Sequence, residues 1–201
     1  MRPTALLTDL DGVLRLWPKD YSSLEQAHGL PPGAVGATAF EPDLLLRAIT
    51  GRICDEAWRV EVTNRLKAAY PGCRVEDAVT AWSTPAGEVN YDTLRLISQA
   101  RRTCRVGLVT NATDRLHDDL RRLGLSIHFD FVVNSSEVGV AKPKPEIFAR
   151  SLAQARAKPE HVVFIDDTKA NVDQARQLGM LSHHFTSADS LAHFMRSVGL
   201  I

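Results

Sequence analysis

Long apolar runs are missing from this sequence, and so is any excess of charge. No stretch approaches the roughly 20 apolar residues that cross a bilayer, and the apolar start at Ala5 to Leu7 meets Asp9 too soon for a secretory leader. A cytoplasmic protein with no membrane partner is expected. The 24 basic and 24 acidic residues cancel, which argues against nucleic acid as a partner, because a polyphosphate backbone selects for net positive charge. Cysteine is scarce as well. Cys54, Cys73 and Cys104 are odd in number and have no CxxC spacing, which excludes a disulfide framework and a zinc site and leaves buried or half-buried free thiols.

What is present is an alternation. Short apolar or β-branched runs at Ala5 to Asp9, Arg105 to Thr110, Phe129 to Asn134, His161 to Ile165 and, more weakly, Met180 to His184 read as five strands. Helical patterns fall between and after them: Tyr91 to Arg101, Asp114 to Leu123, Pro145 to Ala155, Ala170 to Leu178 and Ala188 to Val198, three of them stopped by a glycine. Strand and helix in turn imply a parallel sheet wrapped by helices.

One connection is too long for that scheme. About a hundred residues separate the first strand from the second, whereas a βαβ unit needs only about 30. The surplus is helical in pattern. Leu44, Leu45 and Ile49 share a face, and Asp55 is placed to cap a segment carrying Trp58, Val62 and Leu66 that stops near Pro71-Gly72. GLPPGAVGA, residues 29–37, reads as a loop. The expected architecture is α/β: a Rossmann-like core with a parallel five-stranded sheet from residues 1–16 and 86–201, and a small helical insert of residues 17–85 after the first strand.

Polar residues collect where the strands end. The first strand runs into Asp9-Leu10-Asp11-Gly12, the second into Thr110-Asn111 and the fourth into Asp166-Asp167, while Lys142 follows the third within AKPKPEIF. In open α/β sheets ligands bind at that carboxyl rim. Crowded carboxylates repel one another and call for a hard cation, for which Mg2+ shared with phosphate and water is the usual solution. A lysine and a threonine hydroxyl beside the cation suit the oxygens of a phosphoryl group, and the spare carboxylate can act as nucleophile.

DLDGV, LVTNAT, GVAKPKPEIF and FIDDTKANV resemble, in order and spacing, the four motifs of the haloacid dehalogenase-like hydrolase superfamily, and the helical insert is similar to its type 1 cap. ITGRICDEAW and FIDDTKANV resemble segments of the sugar-phosphatase and epoxide-hydrolase-associated phosphatase branches. The resemblance implies that Asp9 is the nucleophile and that Asp11 is the general acid and then base. It further implies that Thr110, Asn111 and Lys142 bind the phosphoryl group, and that Mg2+ is held by Asp9, the Asp11 carbonyl and the Asp166-Asp167 pair. Asp167 is favoured as direct ligand, with Asp166 in support. Dehalogenase and phosphonatase members lack an acid two residues after the nucleophile, so Asp11 points to a phosphatase. A small phosphorylated metabolite is the expected substrate.

Other readings remain open at this stage. A phosphomutase uses the same two aspartates, and a receiver domain also holds an aspartyl-phosphate, although its acidic pair is adjacent after the first strand. A non-catalytic binding protein is the third alternative. Taken singly, Asp9 to Gly12 could be a surface turn, Thr110-Asn111 a helix cap and Lys142 a solvated loop residue, as Lys144 is expected to be. Asn171 reads as a structural helix residue as readily as a partner of the acidic pair. For His183-His184, alternation on a strand suggests one buried and one exposed ring, and His117 and His128 read as surface residues. Trp17, which could touch substrate, is assigned to packing of the hinge, and Arg47 and Arg52, which could reach a phosphosugar, to a solvated face.

Overall fold

A computed structural model describes residues 2–201. Strand β1 (Ala5–Thr8) leads through β2 (Arg15–Leu16) into five helices, α1 (Ser22–Ala27), α2 (Ala34–Ala39), α3 (Pro42–Ile49), α4 (Asp55–Ala69) and α5 (Val75–Ser83). The chain returns through β3 (Glu88–Val89) and α6 (Tyr91–Ala100) to β4 (Arg105–Thr110), α7 (Leu116–Arg122), β5 (Phe131–Asn134), α8 (Ser135–Val138) and α9 (Pro145–Ala155). It finishes with β6 (Val162–Asp166), α10 (Lys169–Gln177), β7 (Leu181–His184) and α11 (Ala188–Ser197).

The main sheet has five parallel strands in the order β5-β4-β1-β6-β7. Its strands are near-continuous apolar runs because both faces are covered. Leu6, Val106, Leu108, Val163 and Ile165 pack on one side with residues of α6, α7 and α11. Ala5, Leu7, Val109, Val162 and Phe164 pack on the other with residues of α9 and α10, where the Phe148 and Phe164 rings meet edge to face at 5.2 Å. Gly107 in β4 cannot carry a side chain, since a Cβ there would lie 2.3 Å from the Phe131 ring.

The chain runs from β1 to β4 and β5 on one side and then crosses to β6 and β7 on the other. The order therefore reverses at β1, and the crevice beyond its carboxyl end is the topological switch point. Asp9 is the next residue after β1.

Helices α1–α5 enclose an apolar cluster of their own, built on Leu44, Trp58, Val62, Leu66, Val79 and Trp82. The passages into and out of this unit run side by side as an antiparallel ladder, with Arg15 opposite Val89 and Leu16 opposite Glu88. Its helices also bond directly to the sheet's loops: Asp55 N–H donates to Asp114 at 2.7 Å, and the Thr113 hydroxyl donates to the Asp55 carboxylate at 2.9 Å.

Four local expectations are corrected. Residues 34–37, expected within a loop, belong to helix α2, because the buried Glu25 carboxylate accepts the Gly33 and Val35 N–H groups and so caps it from a distance in sequence. Asp55 does not cap α4. Cys54 does, its sulfur accepting from Ala57 N–H at 3.4 Å, while Asp55 sits inside the first turn. That position leaves Cys54 exposed, against the expected buried or half-buried thiol; Cys73 is half-buried and Cys104 buried. Of the two adjacent histidines, His184 is exposed but His183 is only half-buried, stacked on Phe194 at 4.7 Å.

Candidate active site at the carboxyl edge of the sheet

The centre of the site is Lys142, although it comes from a loop. Its side chain is 1% exposed, and its ammonium lies 2.8 Å from Asp9 Oδ1, 2.6 Å from Asp166 Oδ2 and 2.9 Å from the Val109 carbonyl. Three donors thus meet three oxygens. Burial alone would lower the Lys142 pKa, but Asp9 and Asp166 outweigh it and hold the group above its ordinary value. The solvated lysine is instead Lys144, two residues on, which is exposed.

Asn111 fixes the backbone that carries this lysine. Its side-chain amide donates to the Lys142 carbonyl at 3.0 Å, and its carbonyl accepts the Lys142 N–H at 2.8 Å. Thr110, buried, ends β4 beside it.

Asp9 is buried, and one of its oxygens accepts the Leu10 N–H at 2.7 Å. Its pKa is raised to about 7: burial pushes it up, Lys142 pulls it down, and the neighbouring charge of Asp166 adds to the rise. Asp166 is fully buried and fully engaged. Besides Lys142, it accepts the Thr168 N–H at 2.8 Å and the Asn171 amide at 3.0 and 3.1 Å. Asp167 is exposed and accepts only the Thr168 hydroxyl, at 3.2 Å; partial burial and the charge of Asp166 raise its pKa. Carboxylate oxygens of Asp9, Asp166 and Asp167 lie within 4.8 Å of one another.

Gly12 lets the chain pass beneath this group. Its φ is +75°, and a Cβ there would fall 1.9 Å from Asp167 Oδ2, so both backbone and space require glycine.

Asp11 faces another way. Arg15 grips both its oxygens, Nε at 2.7 Å and Nη2 at 2.9 Å, and the Trp17 indole N–H donates to Oδ1 at 2.6 Å. Arg15, itself buried, reaches Asp119 with its remaining arm at 3.0 Å. Asp119 also binds Arg115 at 2.9 Å, and Arg115 donates to the Pro85 carbonyl at 2.7 Å. A chain of paired charges, buried at Arg15 and Asp119, therefore runs from Asp11 to the segment that follows α5.

Asp9, Lys142, Asp166 and Asp167 meet in one cluster, with Thr110 and Asn111 beside it and Asp11 on its flank. Sequence reasoning left Asn171 undecided between a helix residue and a partner of the acidic pair, and missed Arg15. Asn171 stands five residues after Asp166, where the first turn of α10 returns over the strand end, and that spacing was the available signal. Arg15 carried none, because its partner Asp119 is remote in the chain.

The family model for haloacid dehalogenase-like hydrolases matches residues 3–179. Among curated relatives, bifunctional epoxide hydrolase 2 of Sus scrofa is 30% identical over 200 residues, covering 88% of this chain and 35% of that protein. Pyrimidine 5'-nucleotidase YjjG of Escherichia coli is 40% identical over 76 residues, 36% of this chain and 33% of that one. The chain thus spans about a third or less of the epoxide hydrolases it matches. Among solved structures, a HAD family enzyme of Bacteroides thetaiotaomicron, complexed with magnesium and inorganic phosphate, superposes with a TM-score of 0.78 at 23% identity, covering 96% of this chain and all of that one. The L-2-haloacid dehalogenase of Xanthobacter autotrophicus gives 0.66 at 19% identity over 99% and 84% of the two chains. At these identities the likeness is one of fold.

Proposed function

The chain belongs to the haloacid dehalogenase-like hydrolases, and we propose that it is a Mg2+-dependent phosphomonoester hydrolase acting through an aspartyl-phosphate on Asp9. The observation that carries this reading is the convergence of three carboxylates, two of them paired with one buried lysine, with a further carboxylate, Asp11, two residues after the first.

The donor set fits magnesium. Asp9 and Asp167 both have pKa values raised by burial and by the charge of Asp166, which is the state of carboxylates short of a cation. Because Lys142, Thr168 and Asn171 occupy both oxygens of Asp166, Asp167 is the member of the pair free to ligate, together with Asp9 and the Asp11 carbonyl. Bound Mg2+ supplies charge neutralisation at the phosphoryl oxygens.

The protein groups perform the bond changes. Lys142 holds Asp9 in one orientation, and an Asp9 oxygen attacks phosphorus as the ester bond to the alcohol breaks. The alcohol oxygen takes a proton from Asp11. Water then attacks the phosphoryl group, Asp11 removes its proton, and phosphate leaves with Asp9 restored. The Arg15 clamp holds the Asp11 carboxyl in place for the second step; to reach the leaving oxygen in the first, Asp11 must release one Arg15 contact. With its side chain occupied by Lys142, Asn111 is left with its backbone amide as the group that meets phosphate, beside the Thr110 hydroxyl. Residues 17–85 act as a cap that excludes water and selects the alcohol.

Purified protein should release phosphate from p-nitrophenyl phosphate with Mg2+, lose that activity in EDTA and regain it on adding Mg2+. Asp9→Asn should abolish turnover of every ester. Asp11→Asn, mixed with acetyl phosphate and quenched in acid, should retain a phosphoryl group on Asp9 detectable by mass spectrometry. Undiminished activity in excess EDTA would overturn the reading.

A further inference from the structure

A cavity of about 320 Å³ lies between the carboxyl edge of the sheet and the helical unit, bordered at one end by Asp11 and Asn111. Its walls are Trp17, Phe40, Leu45, Ile49, Trp58 and Trp82. These include every tryptophan in the chain. Phe40, Trp58 and Trp82 contact one another at ring separations of 5.7 to 6.5 Å, yet Phe40 remains 55% exposed and Trp17 36% exposed, so apolar surface is left for something else to cover.

We propose that this cavity receives the alcohol portion of the substrate, and that the substrate is a phosphomonoester of an apolar aryl or alkyl alcohol. The proposal rests on the phosphatase reading, in which the leaving oxygen takes its proton from Asp11. The alcohol then lies on the side where Asp11 faces, which is this cavity.

Most polar groups at its border are already paired, the hydroxyls of Tyr21 and Ser83 being exceptions. Arg15 is engaged by Asp11 and Asp119, and Arg115 by Asp119 and the Pro85 carbonyl. Asp55 is engaged by Thr113 and by Arg59 at 2.5 Å, and the Asn111 side chain by the Lys142 backbone. Even the Trp58 N–H is taken, by the Ala39 carbonyl at 3.1 Å. A sugar or nucleoside entering here would find partners for few of its hydroxyls, and each one left unpaired would cost roughly tenfold or more in affinity. Arg47 and Arg52, the basic residues of the helical unit that could have met a phosphosugar, do not border the cavity.

The test is a homologous series of n-alkyl phosphates, ethyl to octyl, assayed below micellar concentrations with Mg2+. The alcohols leave equally well, so differences report the cavity. kcat/KM should rise about three- to fourfold per methylene until the space is filled, and hexyl phosphate should exceed glucose 6-phosphate by well over tenfold. Phe40→Ser should flatten that rise. As a readout besides turnover, Asp9→Asn protein titrated with hexyl phosphate should show a saturable change in tryptophan fluorescence that glucose 6-phosphate does not produce. Turnover of ethyl and p-nitrophenyl phosphates with no dependence on chain length would overturn the proposal and leave the phosphatase reading standing. No turnover of any ester would remove the phosphatase reading, and the proposal with it.

Discussion

At the carboxyl edge of the sheet, polar atoms are crowded together and kept charged; a few residues away, between the sheet and helices α2–α5, polar atoms are paired off so that the remaining wall is aromatic. Lys142 shows the first treatment, with Asp9 and Asp166 both within 2.8 Å of its ammonium. Arg115 shows the second, its charge matched to Asp119 and its other donors turned to backbone carbonyls. Both regions contain buried charge, but the first carries carboxylate acidity that burial has displaced, with Asp9 raised to about 7. A buried ion set with unequal charges invites a cation and an anionic substrate, whereas a balanced set is inert scaffolding.

The largest test of this contrast is Lys142→Ala. It strands Asp9 and Asp166 in a buried site, so it should lower turnover by about two to three orders of magnitude and cost about 3–5 kcal/mol of stability in metal-free protein. Assays on the fraction still folded, with thermal melts alongside, would check both. Turnover near wild type would show the two carboxylates to be independent of the lysine.

Asp119→Asn probes the balanced set. Arg15 and Arg115 both lose a charged partner while the carboxylate trio is untouched, so about 1–3 kcal/mol of stability should be lost. Turnover should fall several-fold, because Asp11 is then held by a looser arginine. The two effects separate on Asp119→Glu, which should recover stability ahead of kcat.

A smaller effect carries an informative sign. Between about pH 4 and 7 the folded chain keeps a proton on Asp9 that the unfolded chain, with its ordinary carboxylate pKa, has released. Asp9 therefore makes metal-free protein less stable as pH rises through that window. Asp9→Asn removes the loss, so in EDTA its melting temperature should exceed the wild type's by a few degrees, with the gap widening from pH 5 to pH 8. Mg2+ should stabilise the wild type more than the variant and narrow or reverse the order. Last, Lys144→Ala should leave melting within about 0.5 kcal/mol of wild type and turnover unchanged, in contrast with its neighbour two residues away.

The fold was legible because its signals are local. Each strand of the main sheet but the last is an apolar run long enough to name, each later helix has a periodic face and three have a glycine stop, and the surplus chain after β1 announces an insert by length alone. Asp9, Asp11, Thr110, Asn111 and Asp166-Asp167 could be marked as candidates because each stands at a strand end, and strand ends of a parallel sheet share one edge. Helix α2 was not legible, since its cap is the Glu25 carboxylate arriving from α1. Nor was the burial of Lys142, whose flanking prolines read as loop.

The order and spacing of the acidic, hydroxyl and lysine residues are properties of the chain, and they alone limited the chemistry to a few related reactions. Which carboxylate is locked and which is free, that Arg15 turns Asp11 toward an apolar cavity, and that Trp17, Trp58 and Trp82 share that cavity were decided by tertiary structure. The reason is physical. A residue type states what a group can donate, accept or bury, but whether it is free to do so depends on partners such as Asn171 for Asp166 and Asp119 for Arg15, brought close only when the sheet closes and the helices pack against its edge.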